Sequence, residues 1–286
     1  MASTIDIRRR IKSVKNTKQI TKAMKMVAAA KLRRAQDRMM AARPFAAALK
    51  QVLASVASRT EVADHPLLQE REEKNVLFLI VTADKGLSGA FNTNIIKGAQ
   101  NTIRDRQWIS LQLIPIGRKA NDFFRRRAIP IRHQAVNIFG TLSTKDAKDL
   151  VSIVIEDYTS EKVDAVYAIY NEFKSVMQQN IIVEKLLPFD KKVAESGEAS
   201  IDYIYEPGPE QILSELLPRH LEFQIYRILL ESAAAEQGAR MTAMESATKN
   251  ASDMIDHLTL TYNRIRQASI TKEIIEIVSG AAAAQG

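Results

Sequence analysis

The residues best placed to do chemistry lie in Thr82-Ala83-Asp84-Lys85-Gly86-Leu87-Ser88-Gly89-Ala90, between a strand-like run and a helix-like one. A glycine-containing strand-to-helix turn can cradle a phosphate, because backbone N–H groups and the helix N-terminus face the same space. The spacing fits neither the dinucleotide nor the P-loop fingerprint, so the segment reads as an ordinary connection into the following helix. His65, His133, His220 and His257 are scattered, and none has a partner at metal-ligand spacing. The chain has no cysteine, which excludes disulfides, thiolate zinc sites and cysteine nucleophiles. No Ser, His and Asp order suggests a nucleophile motif. The acid pair Glu72-Glu73 need not be catalytic, and Glu273 with Glu276 reads as a solvated helix face. We expect no catalytic residue, no cofactor and no metal.

Charge is the stronger signal. The 286 residues carry a formal net charge of +8. From Met1 to Lys50 the only acids are Asp6 and Asp37, against Arg8, Arg9, Arg10, Lys12, Lys15, Lys18, Lys22, Lys25, Lys31, Arg33, Arg34, Arg38, Arg43 and Lys50. The remainder is slightly acidic. A single-signed segment of this kind needs an acidic partner, whether protein, nucleic acid or anionic lipid. No aromatic precedes Phe45 to stack a base, and the charges surround the helix, which favours a solvated or protein-facing role. The longest apolar run, Val76 to Val81, is strand-sized and far short of the roughly 20 residues of a membrane span. The N-terminus has no apolar signal core, and its basic residues run on to Lys50 without a cleavage-like break, so they read as mature protein.

Two kinds of periodicity position these residues. Before Pro44 there is no proline, and before Gly86 no glycine. Ser3 with Asp6 resembles a capping box. Ile7, Ile11 and Val14 start a stripe that shifts through Thr17 and Ile20 to Met24, Val27 or Ala28, Leu32, Ala35 and Met39. It predicts a helix through Val56, kinked at Pro44 and on the order of 80 Å long. At the other end, Pro209 suits the first turn of a helix, and Pro218 kinks or restarts it. Stepping alternately by three and four, Leu216, His220, Phe223, Arg227, Leu230, Ala234, Gln237, Met241, Met244, Thr248, Ala251, Ile255, Leu258, Tyr262 and Ile265 form a heptad-like seam. From Arg219 to Ser279 that helix spans roughly 90 Å. Neither narrow stripe can be hidden alone, so the helices pair, and so slender a coil invites a surrounding partner.

Between them the period changes. Strands are expected at Asn75–Thr82, Leu111–Ile116, Val163–Tyr170 and Ile181–Leu187, with a weaker fifth at Ile131–Ile138. Helices fit Ala90–Arg106, Arg118–Arg127 and Thr144–Thr159, the last capped by Ser143 and Asp146. Asp190–Ser200 reads as a polar loop. Alternating strands and helices argue for a mostly parallel sheet in a three-layer α/β domain. The segments divide as 1–60, 75–205 and 209–286.

The stretch Arg266-Gln267-Ala268-Ser269-Ile270-Thr271-Lys272-Glu273-Ile274-Ile275-Glu276-Ile277-Val278-Ser279-Gly280-Ala281-Ala282-Ala283 resembles the C-terminal signature of the ATP synthase γ-subunit family. Ile11-Lys12-Ser13-Val14-Lys15-Asn16-Thr17-Lys18-Gln19-Ile20-Thr21-Lys22-Ala23-Met24, the Asp84-Lys85-Gly86-Leu87 turn and Tyr203-Ile204-Tyr205-Glu206-Pro207 look familial too. The resemblance implies a mixed α+β and α/β fold: a long antiparallel coiled coil of the terminal helices, plus a central Rossmann-like domain. It implies a non-catalytic rotor shaft inside a ring of α and β subunits, with the α/β domain near the membrane against the ε subunit and the c-ring. It also implies contacts to partners at Met24 and Lys25, near acidic levers of β, at Lys85, and at Arg266, Gln267 and Thr271, near a catch on the upper shaft. No nucleic acid and no membrane span are expected, and the implied location is peripheral, on the cytoplasmic face of a bacterial plasma membrane. The cysteine-containing insertion of the chloroplast relative is missing, so thiol regulation is not expected. Two other classes make different demands. A basic coiled-coil nucleic-acid-binding protein would bind DNA in a salt-sensitive way, and a small α/β enzyme would hold a nucleotide or substrate at the Gly86 turn.

Overall fold

A computed structural model describes residues 4–57, 65–106, 108–176, 178–189 and 208–285. The Ser3–Asp6 cap, the Asp190–Ser200 loop and Tyr203–Pro207 therefore lie outside or partly outside the described residues. In chain order the elements are α1 (Thr4–Ala57), β1 (Asn75–Val81), α2 (Phe91–Arg106), β2 (Ser110–Ile116), α3 (Arg118–Phe124), α4 (Thr144–Thr159), β3 (Ala165–Phe173), β4 (Gln179–Leu187) and α5 (Pro209–Gln285). Two compact units emerge: Met1–Val27 with Met241–Gly286, and Ala28–Arg240.

The first unit holds the start of α1 and the end of α5. Ile7 and Thr21 are buried on α1, with Ile11, Val14, Lys18, Met24 and Lys25 half-buried. On α5, Met244 and Ala251 are buried and Met241, Thr248, Ile255, Leu258, Tyr262 and Ile265 half-buried, as the heptad spacing requires. Polar pairs stitch the two segments. Lys18 Nζ donates to Ser252 Oγ at 2.9 Å, the Thr21 and Thr248 hydroxyls meet at 2.8 Å, and Lys25 Nζ lies 2.7 Å from Glu245 Oε1.

The stripe on α1 departs from the expected course. Ile20 is 60% exposed, and Thr17, also exposed, returns its hydroxyl to the Ser13 carbonyl at 3.2 Å. Lys18 and Thr21 take the inward positions instead. A 4-3 step continued from Val14 lands on them whatever their chemistry, and the aliphatic stem of Lys18 can lie along the seam with its ammonium at the edge. On α5 the seam does follow the apolar positions. Ile255→Asp is accordingly expected to destabilise the chain by about 1–3 kcal/mol, read as a lowered thermal midpoint of the full-length protein. An unchanged transition would mean that Ile255 does not face the seam.

The second unit is built on a four-stranded sheet of order β2-β1-β3-β4. β1 pairs in parallel with both β2 and β3, and β4 runs antiparallel to β3. From Val76 to Val81 β1 is apolar and buried, as a strand covered on both faces should be. Leu77, Leu79 and Val81 join a core with Leu49 and Leu53 of α1, Leu150 and Val154 of α4, and Leu213, Leu217, Leu221 and Ile225 of α5. Val76, Phe78 and Ile80 face the other core, with Phe91 and Ile95 of α2 and Ala120 and Phe124 of α3. The start of α4 is held by Asp146, whose Oδ2 accepts from the Ser143 N–H and hydroxyl, both at 2.8 Å. Pro44 and Pro218 are accommodated inside α1 and α5, and Pro209 opens α5.

The weak fifth strand does not form. Residues 131–138 make only isolated bridges, Ile131 to Leu113 and Ala135 to Ile116. Pro130 lacks a donor, and Asn137 at φ 63° is left-handed, so the ladder cannot extend in either direction.

Candidate functional site

The turn after β1 spends its hydrogen-bonding capacity on the fold. Thr82 is fully buried. Its N–H donates to the Ile116 carbonyl at 2.8 Å, and its hydroxyl oxygen accepts from the Ala120 N–H at 2.8 Å. Asn92 Oδ1 accepts from the Ala83 N–H at 2.9 Å. Asp84 Oδ1 accepts from the N–H groups of Arg118 at 3.0 Å and Asn137 at 2.7 Å. Leu87 and Gly89, at φ 63° and 58°, complete the bend. The Asp84 carboxylate thus ties the loops after β1 and β2 together, and Lys85 is left exposed beside it.

Lys85 opens onto a cavity of about 230 Å³, a feature that no motif in the sequence announces. Lys31, Arg34 and Arg38 line it from α1, Asp84 and Lys85 from the turn, Phe139, Gly140 and Leu142 from the loop before α4, and Leu230, Glu236 and Arg240 from α5. Arg38 Nη1 reaches the Leu142 carbonyl at 3.4 Å. Arg240 Nη2 bonds Glu236 Oε1 at 2.6 Å and the Gly86 carbonyl at 3.2 Å. Burial raises the Glu236 pKa, and the Arg240 charge opposes that rise. The one signal in the sequence is the spacing of Lys31, Arg34 and Arg38, which puts all three on one face of α1.

Several of the other candidate groups have structural work. His65 Nδ1 accepts from the Leu67 N–H at 3.2 Å, capping a short 3₁₀ turn, and its pKa is lowered by burial. His220 packs on the Phe189 ring at 5.3 Å, while His133 and His257 are exposed. Among the described residues no group of His, Cys, Asp or Glu could hold a metal ion. Glu73 accepts from the Tyr167 hydroxyl and pairs with Lys185, each at 2.8 Å. Burial and that carboxylate push the Tyr167 pKa to about 12, and Tyr158, mainly through burial, also to about 12. Glu276 pairs with Lys272 at 3.5 Å on the exposed end of α5.

Of the expected contact residues, Met24 and Lys25 are half-buried in the first unit, and Lys25 is engaged by Glu245. Arg266, Gln267 and Thr271 are exposed on α5, with the Thr271 hydroxyl donating to the Gln267 carbonyl at 3.0 Å. Lys85 belongs to the second unit. Beside Arg266 the helix exposes a run of apolar side chains: Ile270 at 47%, Ile274 at 55%, Ile275 at 58%, Ile277 at 71% and Val278 at 62%. Soluble proteins rarely leave such a run bare, and it marks an interaction surface. No described helix is long and apolar enough to cross a membrane.

Comparison with known proteins agrees over the full length. The family model described as ATP synthase matches residues 3–284. The ATP synthase gamma chain of Chloroherpeton thalassium is 52% identical, covering 98% of this chain and 98% of its own. That of Pelotomaculum thermopropionicum is 50% identical, covering 99% of each. Among solved structures, the central stalk and c-ring of the Tetrahymena thermophila mitochondrial ATP synthase contains a chain that is 27% identical. It aligns with 80% of this chain and 99% of its own length, at a TM-score of 0.63.

Proposed function

The chain belongs to the ATP synthase γ-chain family, and from that premise we propose that it is the non-catalytic rotor of a proton-translocating ATP synthase. Rotation of a membrane c-ring would turn it inside a head of α and β subunits, driving the catalytic β sites through their conformations in succession. The ε subunit and the c-ring would meet its α/β domain, at the cytoplasmic face of a bacterial plasma membrane. The nucleotide chemistry belongs to α and β. The observation that carries this reading is the exposed apolar side chains of α5 from Ile270 to Val278, on a chain related over its whole length to γ chains. A helix end of this kind needs an apolar sleeve, and a ring of subunits supplies one. The nucleic-acid reading of the basic helix finds no support beside a family match of that length.

The finer architecture follows the same logic. The pairs Lys18–Ser252, Thr21–Thr248 and Lys25–Glu245 fall in number along α5 as they rise along α1, which supports an antiparallel coiled coil formed by 1–60 and 209–286. The parallel core β2-β1-β3 with helices on both faces supports a three-layer, Rossmann-like arrangement for 75–205. Met24, Lys25, Lys85, Arg266, Gln267 and Thr271 are proposed as contacts to the head and its neighbours. Polar contacts suit a shaft that must transmit torque and then let go.

The test begins with a tagged copy, which should retain stoichiometric α and β subunits through purification. The isolated chain should turn over no ATP. Arg266→Ala with Gln267→Ala should leave the helix folded, since alanine is a strong helix former. Each lost charge-assisted bond would cost about 1.5–3 kcal/mol, so assembly with α and β, or ATPase activity of the assembled complex, should fall clearly. Normal assembly with normal turnover would leave both side chains as solvated surface.

A further inference from the structure

We propose that the cavity lined by Lys31, Arg34, Arg38, Lys85 and Arg240 binds a small phosphate-type oxyanion: inorganic phosphate, pyrophosphate or the polyphosphate tail of a nucleotide. Such binding is independent of the rotor role and needs no partner subunit. Its basis is the net positive charge of the wall, where Lys31, Arg34, Arg38, Lys85 and Arg240 stand against the two carboxylates of Asp84 and Glu236. The two acids in the wall are occupied, Asp84 by the backbone N–H groups of Arg118 and Asn137, and Glu236 by Arg240. Arg38 is turned to the Leu142 carbonyl. Lys31, Arg34 and Lys85 form no ion pair or side-chain hydrogen bond among the described residues, yet they border the same cavity from two separate segments.

Like charges three and seven residues apart on one helix face repel each other, and Lys85 adds to that repulsion. A multiply charged anion would relieve it. The planar fork of Arg34 matches two oxygens of a phosphate, and lysine ammoniums bind the rest as point charges. Size narrows the class further. About 230 Å³ compares with a share of about 30 Å³ per water, and with roughly 300 Å³ at the low end of pockets for drug-sized ligands. An oxyanion with a few waters fits, whereas a whole nucleotide would enter only by its phosphates. The position suits this chemistry as well. The cavity lies outside the carboxyl end of β1, between neighbours β2 and β3, and open parallel sheets bind ligands at such ends.

The experiment is isothermal titration of the purified full-length chain with sodium pyrophosphate, at constant ionic strength so that general screening is equal in every arm. Parallel arms use orthophosphate, magnesium-free ATP, phosphatidylglycerol vesicles and poly-L-glutamate. One saturable site for pyrophosphate, orthophosphate or ATP is expected. Arg34→Ala with Lys85→Ala should weaken it by about tenfold or more, the worth of a charge-assisted bond. Arg8→Ala with Arg9→Ala removes the same charge away from the cavity and should leave the affinity unchanged. Far-ultraviolet circular dichroism checks that both double variants remain folded. The proposal is overturned if no phosphate arm saturates, if the two double variants weaken binding equally, or if only vesicles or poly-L-glutamate bind.

Discussion

Replacing Arg227 by alanine is expected to remove about 2–4 kcal/mol of stability, between the small worth of an exposed pair and the 3–5 kcal/mol of breaking a buried one. Arg227 Nη2 grips both oxygens of Glu184, at 2.7 and 2.8 Å, and Nη1 reaches the Tyr170 hydroxyl and Glu231 Oε1, each at 3.2 Å. One guanidinium therefore fastens α5 to β3 and β4. Without it, two carboxylates face each other in a half-buried site. Burial already raises the Glu231 pKa against the lowering influence of Arg227, and the variant loses that influence. The sign follows from linkage. A carboxyl whose folded pKa exceeds its unfolded value binds more protons when folded, so stability falls as pH rises through that interval. Arg227→Ala should thus lose less at pH 5 than at pH 8, measured by urea denaturation at both. A loss below about 0.5 kcal/mol would mean that the cluster is solvated and contributes little, and a larger loss equal at both pH values would mean that protonation of Glu231 plays no part in it.

Arg227 also marks how far the sequence is legible. The heptad-like seam of α5 groups it with Leu216, His220 and Phe223, all half-buried. The buried positions of that stretch are Leu213, Leu217, Leu221, Ile225, Ile228, Leu229 and Leu230, of which the seam includes Leu230 alone. Alongside the sheet, α5 is buried on a broad face that meets strands and helices together, and a single narrow seam follows its border through Arg227 before entering it at Leu230 and Ala234. From Met241 to Ile265, where the start of α1 is its partner among the described residues, the same spacing picks out the inward residues. β1 and α4 are legible because their signals are local: an unbroken apolar run and a capping box. The fifth strand fails because Pro130 and the left-handed Asn137 confine its pairing with β2 to two isolated bridges, which β-propensity alone does not reveal. The scattered histidines lack metal-ligand spacing, and His65 and His220 have structural partners. The basic cavity is hidden because its walls come from segments as far apart in sequence as Lys31 and Arg240, and charge counting sees only the total.

The turn that anchors Lys85 rests on one glycine, and Gly117→Ala is expected to cost about 3 kcal/mol or more. Gly117 adopts φ 89°, and a Cβ there would stand 2.1 Å from the Thr82 carbonyl oxygen and 2.7 Å from its carbon. Those are backbone atoms of a fully buried residue, so no side chain can swing away to make room. Relief requires β1 and β2 to part at their carboxyl ends. There the Thr82 N–H bonds to Ile116, the Gly117 N–H bonds to Ala135 at 2.7 Å, and Asp84 ties the two loops. All of these bonds would be strained together, and the same movement would displace Asp84 and Lys85 at the cavity. A methyl group added at Gly140, which also lines that cavity, would meet nothing within 4 Å. Gly140→Ala should therefore change stability by no more than about 0.5 kcal/mol. Denaturant unfolding of the two alanine variants beside the unmodified chain separates them. Equal, small losses would show that the ends of β1 and β2 yield easily, and that the turn owes its shape to something other than Gly117.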